Sequence, residues 1–139
     1  MMVHECEYRV SYADTDKMGR VYYANYLVIC ERARTEFLRD VGYPYRKMEA
    51  EGFFFPVRQC SVRYHGWAEY DDLLACRSYV GRMKHATLTV VTEICRGDDR
   101  KVLAVGEVEL ACVNGDGRPS VLPEALRTAV EPYRKAVSA

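Results

Sequence analysis

Long apolar runs are missing from this sequence. None approaches the roughly 20 residues that a helix needs to cross a bilayer, so no membrane insertion is expected. An excess of charge is missing too: 20 Lys and Arg balance 20 Asp and Glu in a chain of 139 residues, and the two signs are mixed along it. No global field draws the protein to nucleic acid or to an anionic surface, so any anion site has to be local. Cysteine occurs in six copies, but there is no CxxC pair and no secretory segment ahead of Cys6, Cys30, Cys60, Cys76, Cys95 and Cys112. That spread suits reduced thiols acting as small hydrophobes in a cytoplasmic protein rather than a disulfide framework. His4, His65 and His85 are too scattered to complete a zinc set, and no metal is expected. Internal repeats and low-complexity linkers are absent as well, which leaves one domain over residues 1–139 with 49% hydrophobic residues for a core.

What is present begins with an alternation. Cys6, Tyr8, Val10 and Tyr12 take turns with Glu5, Glu7, Arg9 and Ser11, the period of a half-buried strand from His4 to Tyr12. After a turn over Asp14 to Gly19, apolar residues recur at Tyr23, Tyr26, Leu27, Cys30, Ala33, Phe37 and Val41. Glu31, Arg32, Arg34, Thr35, Glu36 and Arg39 are set against them, which predicts a long amphipathic helix with a solvated polar face. Gly42 and Pro44 end it, and a short helical turn is expected from Tyr45 to Glu51.

Beyond Gly52 the pattern predicts four more strands: Phe53 to Tyr64, Leu73 to Gly81, Ala86 to Cys95 and Lys101 to Val113. The connections "RMKH", "RGDDR" and "NGDG" suit antiparallel hairpins. Pro123 and Glu124 open a modest terminal helix that Pro132 stops. One strand, one long helix and a mostly antiparallel sheet make an α+β domain whose helix covers one sheet face. Alternation in the last strand supplies Val102, Ala104, Val108 and Leu110 to one side and Leu103, Val105, Ala111 and Val113 to the other. The second face is therefore expected to be apolar and to be covered by another copy, in a homodimer or homotetramer.

The stretch "YADTDKMGRVYYANYLVICERARTEFLR", from Tyr12 to Arg39, resembles the D-x-D-x-x-G-x-V-x-[FYH]-x-x-Y signature of the 4-hydroxybenzoyl-CoA thioesterase-like family. Fainter echoes are "YDD" before the third strand and "RPSVLP" near the end, so the resemblance covers nearly the whole chain. It implies the hotdog fold, a long central helix wrapped by a five- to six-stranded, mostly antiparallel sheet. It implies an acyl-CoA substrate and no cofactor. It also implies that Asp16 is the catalytic carboxylate and that the backbone amide of Tyr23 holds the thioester carbonyl oxygen.

The chemistry agrees with that assignment. Thioester hydrolysis builds negative charge on the carbonyl oxygen, and the unpaired N–H groups at a helix start are suited to stabilise it. A nearby carboxylate either attacks the carbonyl or takes a proton from an attacking water. On local sequence alone, "DTD" reads as a turn or helix cap, and Asp14 keeps that reading. Gly19 lets the backbone turn and lets substrate approach it. Tyr22, Tyr23 and Tyr26 are candidates to line an acyl pocket or to serve as core, and Asn25 to orient a water or anchor the loop.

Coenzyme A carries phosphates, which call for Arg or Lys. Arg82, Lys84 and His85 in "GRMKH" are the densest candidates, followed by Arg96, Arg100 and Lys101. Some members of the family have a histidine where Tyr23 stands, and His65 reaching across a subunit interface is a weak substitute. Two competing readings remain: a non-catalytic acyl-binding module that keeps the pocket, and a hotdog hydratase or dehydratase. The latter usually pairs Asp or Glu with His, and no aspartate here has a histidine about five residues on.

Overall fold

The computed structural model describes residues 1–136. Five strands form one antiparallel sheet: β1 (His4–Arg9), β2 (Val57–Tyr64), β3 (Leu73–Met83), β4 (Thr87–Arg96) and β5 (Val102–Ala111), in the order β1-β3-β4-β5-β2. The helix α1 (Asn25–Asp40) packs on one face, and α2 (Tyr45–Ala50) and α3 (Glu124–Val130) close the sides. This is the α+β hotdog arrangement the sequence implies. The short connections 84–86 and 97–101 make β3, β4 and β5 a meander, while β1 and β2 occupy the edges.

The buried side of α1 follows the helical period through Tyr26, Ile29, Cys30, Ala33, Phe37 and Leu38. Gly42 ends the helix at φ +93°, with the Tyr43 amide donating to the Leu38 carbonyl at 2.8 Å, as a glycine C-cap requires. The helix begins two residues after Tyr23, which lies in the preceding turn and is 65% exposed. Arg34 departs from the expected polar face, because it is only 6% exposed.

The core divides into two clusters. Val10, Val21, Tyr26, Ile29, Cys76, Ile94 and Leu103 pack under the start of α1. Phe37, Leu38, Met48, Val80, Leu88, Val90 and Leu126 pack under its end. Between them the sheet carries a polar rung, the buried pair Ser78 and Thr92, whose hydroxyls are 3.0 Å apart.

Two expectations for β5 change. The pairs Ile94/Ala104 and Cys95/Val102 leave Leu103 as an extra residue, a bulge that turns Leu103 inward beside Ala104 and moves Val102 to the other face. The outer sheet face is mixed rather than uniformly apolar, with Ala75, Tyr79 and Val91 set among charged residues. Arg77 pairs there with Glu93 at 3.3 Å and with Glu5 at 3.6 Å, and Arg58 pairs with Glu109 at 3.3 Å. Ion pairs this exposed contribute little stability each. Among the described residues β1 pairs only with β3 and β2 only with β5, so each leaves a free edge, which a second copy can also satisfy.

Gly106 sets the spacing between sheet and helix. A Cβ there would stand 2.5 Å from Cys30 Sγ, with Cys30 itself 1% exposed. Gly106→Ala is expected to destabilise the fold by about 1–3 kcal/mol through overpacking. Adding Cys30→Ala is expected to recover much of that loss, which a double-mutant cycle by urea unfolding measures.

Candidate active site

β1 leads through a 3₁₀ turn, Tyr12–Asp14, into the loop that ends at α1. Asp14 organises this passage. It is 8% exposed, and its Oδ2 accepts hydrogen bonds from the Tyr8 hydroxyl at 2.7 Å, the Ser11 amide at 2.9 Å and the Ser11 hydroxyl at 3.0 Å. Its carbonyl accepts from the Tyr22 amide at 2.9 Å and from Asn25 Nδ2 at 3.0 Å. Asn25 is thus the loop's anchor to the first turn of α1.

Asp16 opens a tight turn above this hub. The Gly19 amide donates to the Asp16 carbonyl at 3.0 Å, and Gly19 adopts φ +78°, a conformation that favours glycine. The Asp16 side chain is fixed through one oxygen: Oδ1 accepts from the amides of Met18 at 2.9 Å and Arg20 at 3.3 Å. Oδ2 makes no hydrogen bond to a described residue, and the residue is exposed.

Residues 66–72 clamp the same loop from the other side. The Val21 amide donates to the Ala68 carbonyl at 2.9 Å, the Tyr70 amide to the Gly19 carbonyl at 2.9 Å, and Arg20 lies 4.1 Å over the Trp67 ring. Tyr12 and Tyr70 stack with centroids 4.0 Å apart. The result is an exposed aromatic rim of Tyr12, Tyr22, Tyr23, Tyr64, Trp67 and Tyr70 around Asp16 and the helix start.

The Tyr23 amide makes no hydrogen bond to any described residue, whereas its carbonyl accepts from the Tyr64 hydroxyl at 2.7 Å. Tyr22 and Tyr23 are exposed and their rings adjoin at 4.8 Å. Tyr26, by contrast, is 2% exposed and its hydroxyl accepts from the Ala68 amide at 3.0 Å, so its ring belongs to the core beneath the loop. Burial pushes its phenol pKa up, the Ala68 amide opposes this, and the nearby Asp16 charge adds to the rise.

The basic residues divide between the two ends of the sheet. Arg82, Lys84 and His85 lie in the β3–β4 hairpin, at the far end from Asp16, where Arg127 donates to the Lys84 carbonyl at 2.7 Å. An 11-residue strand, roughly 35 Å at about 3.3 Å per residue, separates the hairpin from the Asp16 loop within one chain. Arg96 and Arg100 are at the Asp16 end but already pair with Asp99 and Glu5. His65 is exposed near the end of β2, lining a cleft of about 440 Å³ with Arg63 and Glu107 on the sheet's outer side. From sequence, Trp67 and the tyrosines suit an aromatic-friendly cavity, a core or an interface without being placed at the helix start, and Arg20 is not singled out at all. Tyr64 and Trp67 are distant from the signature and Arg20 is unremarkable within it, and only strand pairing brings Tyr64 and Trp67 to the helix start.

A five-stranded antiparallel sheet wrapped on one long helix, with a carboxylate loop at the helix start, defines the hotdog-fold thioesterases. This chain belongs to the thioesterase-like superfamily, whose sequence pattern matches residues 10–130. It is 34% identical over 119 residues to the acyl-CoA thioester hydrolase YbgC of Escherichia coli, covering 85% of this chain and 88% of that protein. It is 35% identical over 123 residues to the acyl-CoA thioesterase YbgC of Haemophilus influenzae, covering 87% and 89%. Among solved structures, a probable thioesterase from Bartonella henselae superimposes with a TM-score of 0.80 at 36% identity, covering 88% of this chain and all of that one. No helix among the described residues is long and apolar enough to cross a membrane.

The hub makes two predictions. Asp14→Ala strips three donors of their acceptor and is expected to cost about 1–3 kcal/mol in urea unfolding. Burial, with the hydrogen bond to Asp14 second, pushes the Tyr8 phenol pKa from 10.0 up to about 12. The folded state therefore holds this proton more tightly than the unfolded chain, and the associated stability is present below pH 10 and lost as pH rises toward about 12. Melting curves of Tyr8→Phe are expected to fall less steeply than wild type across that interval.

Proposed function

We propose that the protein hydrolyses acyl-CoA thioesters, with water and the thioester giving a free carboxylic acid and coenzyme A. The observation that carries this reading is the pairing of Asp16, held through one oxygen with the other free, with an unpaired Tyr23 amide at the start of α1. The thioester carbonyl oxygen accepts a hydrogen bond from the Tyr23 amide, and the positive end of the α1 dipole reinforces it as charge builds. Asp16 Oδ2 then works in one of two ways. As a nucleophile it forms a mixed anhydride and expels the coenzyme A thiolate, and water cleaves the anhydride. As a base it removes a proton from the water that attacks the carbonyl carbon, and the tetrahedral intermediate expels the same thiolate.

Gly19, Tyr22 and the rim around them are the substrate's approach, with Asn25 and Tyr26 holding that surface from below. Coenzyme A phosphates need basic partners, and a second copy supplies them. The free edge of β2 offers unpaired N–H and C=O groups, and a two-fold partner has to pair there antiparallel. Such pairing turns the partner's sheet end for end, which brings its Arg82, Lys84 and His85 to the end that holds Asp16. A homodimer, or a tetramer of such dimers, is the assembly this predicts.

Coenzyme A release from a panel of acyl-CoAs tests the reading. Asp16→Asn and Asp16→Ala are expected to lose at least about a hundredfold in kcat while remaining folded. Folded variants that hydrolyse as fast as wild type would remove Asp16 from the chemistry. Label in Asp16 after single-turnover hydrolysis in ¹⁸O water establishes the nucleophilic role, because it arises only when water attacks the Asp16 carbonyl of the anhydride and never on the general-base route.

A further inference from the structure

Arg34 is a charged side chain in the wrong place for a solvated helix face. It is 94% buried, since only 6% of its surface is exposed, and its Nε–H donates to the Tyr45 hydroxyl at 2.8 Å. No carboxylate among the described residues is in ion-pair contact with it. Its two terminal nitrogens have no hydrogen-bond partner there, yet neither is fully buried, so they open onto space. Buried charges are ordinarily paired, because desolvating an ion without a counter-charge is costly. None of the described residues supplies the counter-charge of this one.

The space it opens onto is a cavity of about 200 Å³ between α1 and β2, lined by Leu27, Val28, Glu31, Arg34, Cys60 and Val57 among others. The helical contributors form one stripe that continues the line from Tyr23 through Leu27 to Glu31. The groove therefore begins at Leu27, one helical turn beyond Tyr23, and its helical lining runs along a largely apolar wall to the Arg34 guanidinium. Roughly 16 Å of helix axis separates Tyr23 from Arg34 at about 1.5 Å per residue, and helical side chains lean back toward the N-terminus, which shortens the span. Glu31 is exposed at the groove's edge and screened by water, so the buried positive charge dominates at its end.

We propose that this groove holds the acyl chain and that Arg34 binds a carboxylate at the chain's far end, which makes medium-length ω-carboxyacyl thioesters the preferred substrates. The apolar wall takes the methylene chain, and the planar guanidinium takes the terminal carboxylate through its two free nitrogens. The inference rests on the thioesterase reading above and adds the identity of the acyl group. Arg34 is remote from the thioester, so its contribution falls mainly on KM rather than kcat.

The test compares suberoyl-CoA with octanoyl-CoA and ω-hydroxyoctanoyl-CoA on the full-length wild type, Arg34→Met and Arg34→Lys. Wild type is expected to favour the carboxylate-terminated member of a pair by about tenfold or more in kcat/KM, the effect of one charge-assisted hydrogen bond. Arg34→Met is expected to collapse that ratio to about one or below through KM, with Arg34→Lys in between. Equal or greater activity on the plain or hydroxylated chains in wild type overturns the proposal, as does a ratio that survives Arg34→Met. So does an Arg34→Met protein that changes its oligomeric state while keeping its selectivity, which would assign the missing carboxylate to a second copy. If Arg34→Met does not fold, the wild-type ratio decides alone. Titration calorimetry of suberoyl-CoA and octanoyl-CoA on Asp16→Asn gives the same comparison without turnover. A missing preference there counts against the groove, and absent hydrolysis in wild type counts against the thioesterase reading.

Discussion

The structure turns on the buried carboxylate of Asp14. Three donors from β1 and the turn after it converge on one oxygen, while the carbonyl of the same residue receives the Tyr22 amide and the Asn25 side chain. A single residue thereby ties the end of the first strand to the start of the central helix. Asp16 sits two residues further on, so its position relative to the Tyr23 amide follows from how firmly Asp14 is held. A loop of this kind is exposed and rich in polar backbone groups, and without such a joint it would sample many conformations. Reactive geometry tolerates little of that freedom.

Beneath the loop the requirement changes from hydrogen bonding to volume. Gly106 lets Cys30 settle against the sheet, and Tyr26 fills the space between the helix start and Ala68 while satisfying the Ala68 amide. The signature tyrosine nearest the core thus supports the floor of the site, and the exposed tyrosines form its rim. The same side-chain type serves two purposes because one copy points inward and the others do not.

Much of this was legible in the sequence. Periodicity gave the order of strands and helices, and the fixed spacings from Asp14 to Tyr26 pointed to the loop and the helix start. Arg34 was misread because a helical pattern scores an arginine as polar whatever surrounds it, and the helix happens to turn it toward the α1–β2 groove and Tyr45. The bulge at Leu103 escaped notice since an inserted residue leaves local alternation intact and only shifts its phase. The outer face was judged from β5 alone, whereas its charges come from β1, β2, β3 and β4 as well. Distance between Arg82 and Asp16 depends on which end of the sheet each loop occupies, a property of topology rather than spacing.

The polar rung of Ser78 and Thr92 has a consequence for how the protein tolerates change. Apolar packing does not run unbroken along the helix, since this rung separates the cluster under the loop from the one beneath Phe37 and Leu126. Perturbations separated by such a break and by more than about 10 Å tend to act independently. Core residues of the cluster beneath Phe37 and Leu126 are therefore expected to change with little effect on the packing under the Asp14–Tyr23 loop. The two ends of one small domain behave as separately adjustable halves, each with its own core.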